Sequence, residues 1–183
     1  MSVMIIRQET QADIEAITKI TKLAFENHPF SKNTEQFIIN ALRAANALTI
    51  SLVAEIDGKL VGHIAFSPVT IWVPILSKDR KMGSLSDGSK NWYGLGPISV
   101  MPNYRKQGIG KSLVNEGIGL LKDLGAEGCV LVGDPKYYER FGFRSPDRLK
   151  HEGVPQENFL ALPFCNRIPK GIVQFHRAFS ATK

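Results

Sequence analysis

The sequence predicts a mixed α/β fold, and three local patterns carry that expectation. Residues 97–100 form a β-branched segment that passes through Met101-Pro102-Asn103 into glycines opening an amphipathic helix. In that helix Leu113, Val114, Gly117, Leu120, Leu121 and Leu124 recur at helical spacing, and Gly125 stops it. Asp57-Gly58 separates two apolar runs, residues 52–56 and 60–69, which is a strong short-range hairpin signal. Cys129-Val130-Leu131-Val132 is a short apolar run of strand type, closed by Gly133-Asp134-Pro135.

The remaining elements follow in order. Residues 4–7 read as a first strand, and Thr10-Gln11-Ala12-Asp13 has the form of a helix cap with an acidic first turn. Ile14, Ile17, Thr21 and Ala24 then share one helical face, until His28-Pro29 breaks the helix. Phe37, Ile38, Ala41 and Leu42 mark a second helix after Asn33. Residues 77–91 are rich in Ser, Lys, Gly and Asp and read as a mobile surface loop, either a solvated hairpin connection or a substrate or partner contact. Residues 159–162 and 172–175 read as further strands. With no internal repeat and no linker, residues 1–183 are expected to form a single domain.

Composition narrows the function classes. With 43% hydrophobic and 22% charged residues the 183-residue chain is ordinary globular protein, long enough to bury a core. No apolar run approaches the ~18 residues of a membrane span, and the N-terminus lacks a basic region followed by a long apolar one, so neither a membrane nor export is expected. Cys129 and Cys165 are too few for a disulfide framework, and a reducing cytoplasm is the expected compartment. His28, His63, His151 and His176 are scattered without metal-ligand spacing, so no metal is predicted. The net charge of +6 is spread along the chain, with its densest cluster at residues 105–111; a nucleic-acid partner is not expected, and a homodimer is compatible with the sequence.

That basic cluster belongs to the loop with the clearest chemistry. Gly108 and Gly110 let the backbone pass close to a ligand, and the helix they open aims unpaired N–H groups at an anion. Arg105, Lys106 and Lys111 add positive charge. Spacing decides among the phosphate motifs. In a P-loop ending at Gly110-Lys111-Ser112, position 105 would be Gly, and it is Arg; a dinucleotide fingerprint from Gly108 would need Gly at 113, which is Leu. Arg105, Gly108 and Gly110 do meet [RQ]-x-x-G-x-[GA]. This resembles the acetyl-coenzyme A pyrophosphate loop of the Gcn5-related N-acetyltransferases. About thirty residues on, Tyr137-Tyr138-Glu139-Arg140-Phe141-Gly142-Phe143 resembles the same family's tyrosine before a Phe-Gly-Phe turn. Together with Phe66-Ser67-Pro68-Val69 and Gly94-Leu95-Gly96-Pro97, it is similar to the bacterial YhbS-like subgroup.

The resemblance implies a mostly antiparallel central sheet with helices on both faces and a splayed parallel strand pair, whose gap admits the pantetheine arm. It implies acetyl-CoA as acetyl donor, a primary amine of a small molecule or protein as acceptor, and EC 2.3.1.- chemistry. Carried over residue by residue, the cofactor-binding set is Ile98, Ser99 and Val100 on the strand, with Ile98 and Val100 as backbone partners, and Arg105, Lys106, Gln107, Gly108, Ile109, Gly110, Lys111 and Ser112 on the loop. Pro97 lacks an N–H, which can displace the first contact by a residue. Tyr138 is the expected acid for the departing thiolate, since a phenol with pKa near ~10 is protonated at neutral pH. The base stays open between Glu26, His28, His63 and a water chain, His63 reading equally as a hydrogen-bonded sheet residue. A non-catalytic module that senses acyl-CoA or docks on protein or nucleic acid is the alternative on the same fold.

Overall fold

The computed structural model describes residues 3–29, 31–73, 84–85 and 91–183. Its strands are β1 (Met4–Gln8), β2 (Ile50–Ile56), β3 (Lys59–Pro68), β4 (Thr70–Val73), β5 (Ser84–Leu85), β6 (Trp92–Val100), β7 (Gly128–Val132), β8 (Leu149–Lys150), β9 (Phe159–Pro163) and β10 (Gly171–Gln174). Its α-helices are α1 (Ile14–Phe25), α2 (Glu35–Ala44), α3 (Ile109–Asp123) and α4 (Pro135–Tyr138). None of the described helices is long and apolar enough to cross a membrane. The chain divides into two compact units, residues 1–67, 95–121 and 177–183 in the first and 68–94 and 122–176 in the second. The fold is mixed α/β and mostly antiparallel, with parallel pairing at β6–β7 and at the two-residue β8–β10 contact.

In the first unit β1, β2 and β3 pair antiparallel in sequence order. The hairpin turn has φ of 50° at Asp57 and 77° at Gly58, the two left-handed residues that match a two-residue turn to strand twist. Residues of β3 alternate between two helix-bearing faces. His63 opposes Val53, which packs with Ile17 of α1 and Ile39 of α2. Gly62 and Phe66 face α3 instead: a Cβ at Gly62 would lie 3.0 Å from Ile109, and one at Gly117 would overlap the Phe66 ring. Helices thus cover both faces of this sheet, as the resemblance implied. Gly117→Ala should therefore cost about 1–2 kcal/mol, the overpacking outweighing the ~1 kcal/mol that alanine gains in a helix, as read by urea unfolding.

The first helix starts as its sequence suggests. Asp13 accepts the Thr10 N–H at 2.7 Å in a capping box, and Arg7 grips the same carboxylate at 2.7 and 3.0 Å. This guanidinium holds Asp13 well below the usual carboxylate range despite its burial.

In the second unit β7 pairs parallel with the start of β6 and antiparallel with β9. A second sheet, in the order β5-β4-β10-β8, was not legible as such in the sequence. Ile71, Trp92, Val130, Leu149, Phe159, Ala161 and Val173 form the core between these strands. Gly128 admits the Trp92 indole, which would overlap any Cβ there. Two sequence expectations change here. The run at residues 60–69 ends as β3 at Pro68, and Thr70 begins β4, because proline removes the donor needed to continue a ladder. The loop expected at residues 77–91 lies outside the described residues except for Asn91 and Ser84–Leu85, and the latter pair antiparallel with β4.

Candidate functional site

The glycine loop lies in the first unit, between β6 and α3. Lys106 has φ of 62° and Gly108 of 83°, so two left-handed residues reverse the chain into the helix. Space around Gly108 is open, with nothing within 4 Å of where a Cβ would be. Gly110 lies inside α3 and is not among the glycines of positive φ, so conformation does not demand glycine there. Ser112 donates its N–H to the Gly108 carbonyl at 2.9 Å, which leaves the amides of Ile109, Gly110 and Lys111 at the open end of α3. Ile109, 1% exposed, anchors that end to the sheet, while Lys106, Gln107 and Lys111 are exposed and Gln107 Nε2 donates to the Asn103 carbonyl at 3.3 Å. Arg105 is exposed too, but its Nη2 donates to the Ala24 carbonyl of α1 at 2.6 Å.

Upstream, the strand presents two kinds of residue. Met101 donates its N–H to the Val61 carbonyl of β3 at 2.8 Å. Backbone direction alternates along a strand, so Ser99 shares that edge and Ile98 and Val100 turn their N–H groups to the opposite one. The parallel ladder of β6 with β7 holds the pairs Trp92↔Gly128, Tyr93↔Cys129 and Gly94↔Val130 and stops, although β7 continues to Val132. The Ser99 side chain is buried and donates to Thr21 Oγ1 of α1 at 3.3 Å, so of the three strand residues it serves packing.

Tyr138 lies in the second unit at the end of α4. Asp134 caps that short helix by accepting the Lys136 N–H at 3.0 Å, and Pro135 starts it. The Tyr138 ring is 8% exposed, edge-on to Tyr137 at 4.9 Å and to Phe143 at 5.9 Å. Burial, with Tyr137 and Cys129 beside it, pushes its pKa well above the ordinary phenol value, so the hydroxyl keeps its proton at any pH of interest. Sequence reasoning missed Gly133, where a Cβ would lie 2.6 Å from the Tyr138 ring; the strand-ending Gly-Asp-Pro was its signal. Tyr137 is half-buried and carries the Arg140 guanidinium over its ring at 4.8 Å.

Of the three side chains considered as base, His63 is enclosed. It is 0% exposed, and its Nε2 lies 2.8 Å from Ser51 Oγ, which is in turn 2.5 Å from Glu9 Oε2. Arg43 binds both Glu9 oxygens, at 2.8 and 3.0 Å. Burial would raise the Glu9 pKa, but His63, Arg43 and Ser51 around it bring it down to about 2. A carboxylate only accepts, so Ser51 donates to Glu9 and Nε2–H of His63 donates to Ser51; Nδ1 is then the unprotonated nitrogen, without a partner among the described residues. Burial accordingly holds the His63 pKa below its ordinary value. The imidazole is a neutral sheet residue in a buried network, not an accessible base. Glu26 and His28 instead lie exposed just past α1, with the His28 ring 5.7 Å from Phe25.

This network fixes a pH dependence. The unfolded chain protonates His63 below pH ~6.5 and the folded chain does so only at lower pH, so stability is full above that value and declines as pH falls through it. The Glu9 contribution is lost only lower, below the ~4.3 of a free glutamate towards about 2. Urea unfolding should therefore show a loss of about 1 kcal/mol between pH 7 and pH 5.5, absent in His63→Gln. A flat wild-type profile over that window would show that the imidazole is not held neutral.

The fold and loop have counterparts in known proteins. The model of the acetyltransferase (GNAT) family matches residues 14–143. An uncharacterized N-acetyltransferase of Escherichia coli K12, YhbS, is 34% identical over 141 residues, 76% of this chain and 73% of that protein. Among solved structures, a GNAT family acetyltransferase from Brucella melitensis in complex with acetyl-CoA is 44% identical, with a TM-score of 0.80 over 97% of this chain and 98% of its own. Escherichia coli YhbS in complex with CoA is 27% identical, with a TM-score of 0.83 over 100% of this chain and 95% of its own. On the family match over most of its length, with these relatives beside it, the chain belongs to the acetyltransferase (GNAT) family.

Proposed function

We propose that this N-acetyltransferase transfers the acetyl group of acetyl-CoA to a primary amine of a small molecule or protein, and that residues 1–183 act as one catalytic domain. The family match runs through residues of both units, which supports the single-domain reading. The observation that carries the function is the loop at residues 105–112: left-handed Lys106 and Gly108 open α3 so that its first amides face outward beside Lys106 and Lys111. Such an end suits a pyrophosphate, and the Brucella relative, 44% identical, was solved with acetyl-CoA. Relatives described as acetyltransferases give the non-catalytic alternative no support.

Acetyl-CoA brings an activated thioester; the chain must orient it, accept a proton from the amine and return one to sulfur. Ile98 and Val100 offer N–H groups to the pantetheine and the developing oxyanion. The amine nitrogen bonds to the carbonyl carbon, the carbon–sulfur bond breaks, and the thiolate takes the Tyr138 proton. Its raised pKa keeps Tyr138 protonated until the thiolate forms, and the amine proton leaves through the Glu26–His28 segment or water. Mixing the protein with acetyl-CoA and a panel of primary amines should release free thiol only when an accepted amine is present. Tight acetyl-CoA binding with no amine-dependent release would favour the sensing module instead.

A further inference from the structure

The loop's first cation is committed elsewhere. Arg105 stands where a charge for the pyrophosphate was expected, yet its Nη2 donates to the Ala24 carbonyl at 2.6 Å. That carbonyl needs a donor. At the end of α1 Glu26 donates back to Lys22 and His28 donates to Phe25, so the Ala24 oxygen belongs to the last turn, where a side-chain donor can reach a helix carbonyl. A guanidinium at a helix C-terminus also meets the negative end of the dipole. A second tie lies one turn earlier on the same helix, where Thr21 Oγ1 accepts from Ser99 of β6. Thr21 and Ala24 are three residues apart and share a face. Both ties therefore bind α1 to the segment that runs from β6 into the loop.

The loop itself has reason to need a brace. Lys106 is a non-glycine residue at φ of 62°, a left-handed conformation disfavoured outside glycine, and it follows Arg105 directly. We propose that Arg105 is a positioning residue: it braces the left-handed turn of the loop against the C-terminal carbonyl of α1, and so fixes both the amides that receive phosphate and the Glu26–His28 segment that follows α1. The charge that attracts the cofactor then comes from Lys106 and Lys111, exposed like Arg105 but not engaged as it is with the Ala24 carbonyl. This inference rests on the loop being the pyrophosphate site.

The test compares Arg105→Met, which keeps length and packing without a donor, with Lys111→Ala in the full chain. Calorimetric titration with acetyl-CoA at several salt concentrations is paired with amide hydrogen exchange in the absence of acetyl-CoA. Arg105→Met should weaken binding about tenfold with the salt dependence of wild type, because no charge contact has been removed, and should speed exchange at residues 22–28 and 105–109 before any ligand is present. Lys111→Ala should flatten the salt dependence and leave exchange at those residues unchanged. A flattened salt dependence in Arg105→Met, or unchanged exchange in the free protein, overturns the brace. The loop assignment fails separately, by wild-type affinity in Gly108→Asp.

Discussion

Gly108→Asp should abolish most acetyl-CoA affinity while leaving the fold intact. Nothing lies within 4 Å of the position a Cβ would take, so the new side chain clashes with no neighbour. Its φ of 83° is left-handed, which aspartate tolerates better than most residues, so the backbone cost is modest. What changes is charge. A carboxylate would stand at the start of α3, where the helix dipole and Lys111 favour an anion, and would repel the pyrophosphate it displaces. At ~6 Å and an effective dielectric of ~20 one pair of like charges costs about 3 kcal/mol, or about a hundredfold in affinity. Gly108→Ala isolates the conformational part and should lose much less. Titration with acetyl-CoA, beside a melting curve without ligand, separates the two. The cofactor should raise the wild-type melting temperature by mass action, and should not do so for Gly108→Asp. Equal affinity of that variant and wild type would remove the loop from the phosphate site.

How legible this was in the sequence depends on where each signal is local. The hairpin at Asp57-Gly58, the capping box of Thr10 and Asp13 and the α3 periodicity are decided by neighbouring residues, and each forms where it was read. The second sheet was hidden because its strands are short and join distant segments, Gly171 with Leu149 and Ile172 with Trp72. No window of sequence contains such a pair. The same distinction runs through the site. Gly108 announces its backbone by type and spacing, whereas the partner of Arg105 is a carbonyl 81 positions away, and a carbonyl has no sequence signature. His63 was ambiguous for the same reason: its surroundings are set by Ser51 on β2, Glu9 just past β1 and Arg43 on α2. Burial, not identity, separates it from a base.

Tyr138→Phe should leave acetyl-CoA binding near wild type and lower the turnover number by about 10²–10⁴-fold, the usual contribution of a general acid. The phenyl ring retains the edge-on packing against Tyr137 and Phe143, and the ring that Gly133 makes room for is unchanged in outline. Only the hydroxyl is lost. Because burial raises its pKa, Tyr138 is a weaker acid than a free phenol, and in the proposed mechanism its proton would move late, once carbon–sulfur cleavage has raised the basicity of sulfur. Two consequences follow. The turnover number should show no decline on the alkaline side from tyrosine ionisation up to pH ~10, since the folded protein holds this proton beyond that value. The penalty for Tyr138→Phe should shrink with thioesters whose leaving thiol is more acidic, because a stable thiolate departs without help. Tyr137→Phe is the control: its ring points about 100° away on the helix and is half-exposed beside Arg140, so turnover should change little. Steady-state rates of both variants with one accepted amine decide the matter. Equal turnover for Tyr138→Phe and wild type would take the acid out of the mechanism, and a larger loss at Tyr137 would assign the proton to the neighbouring hydroxyl.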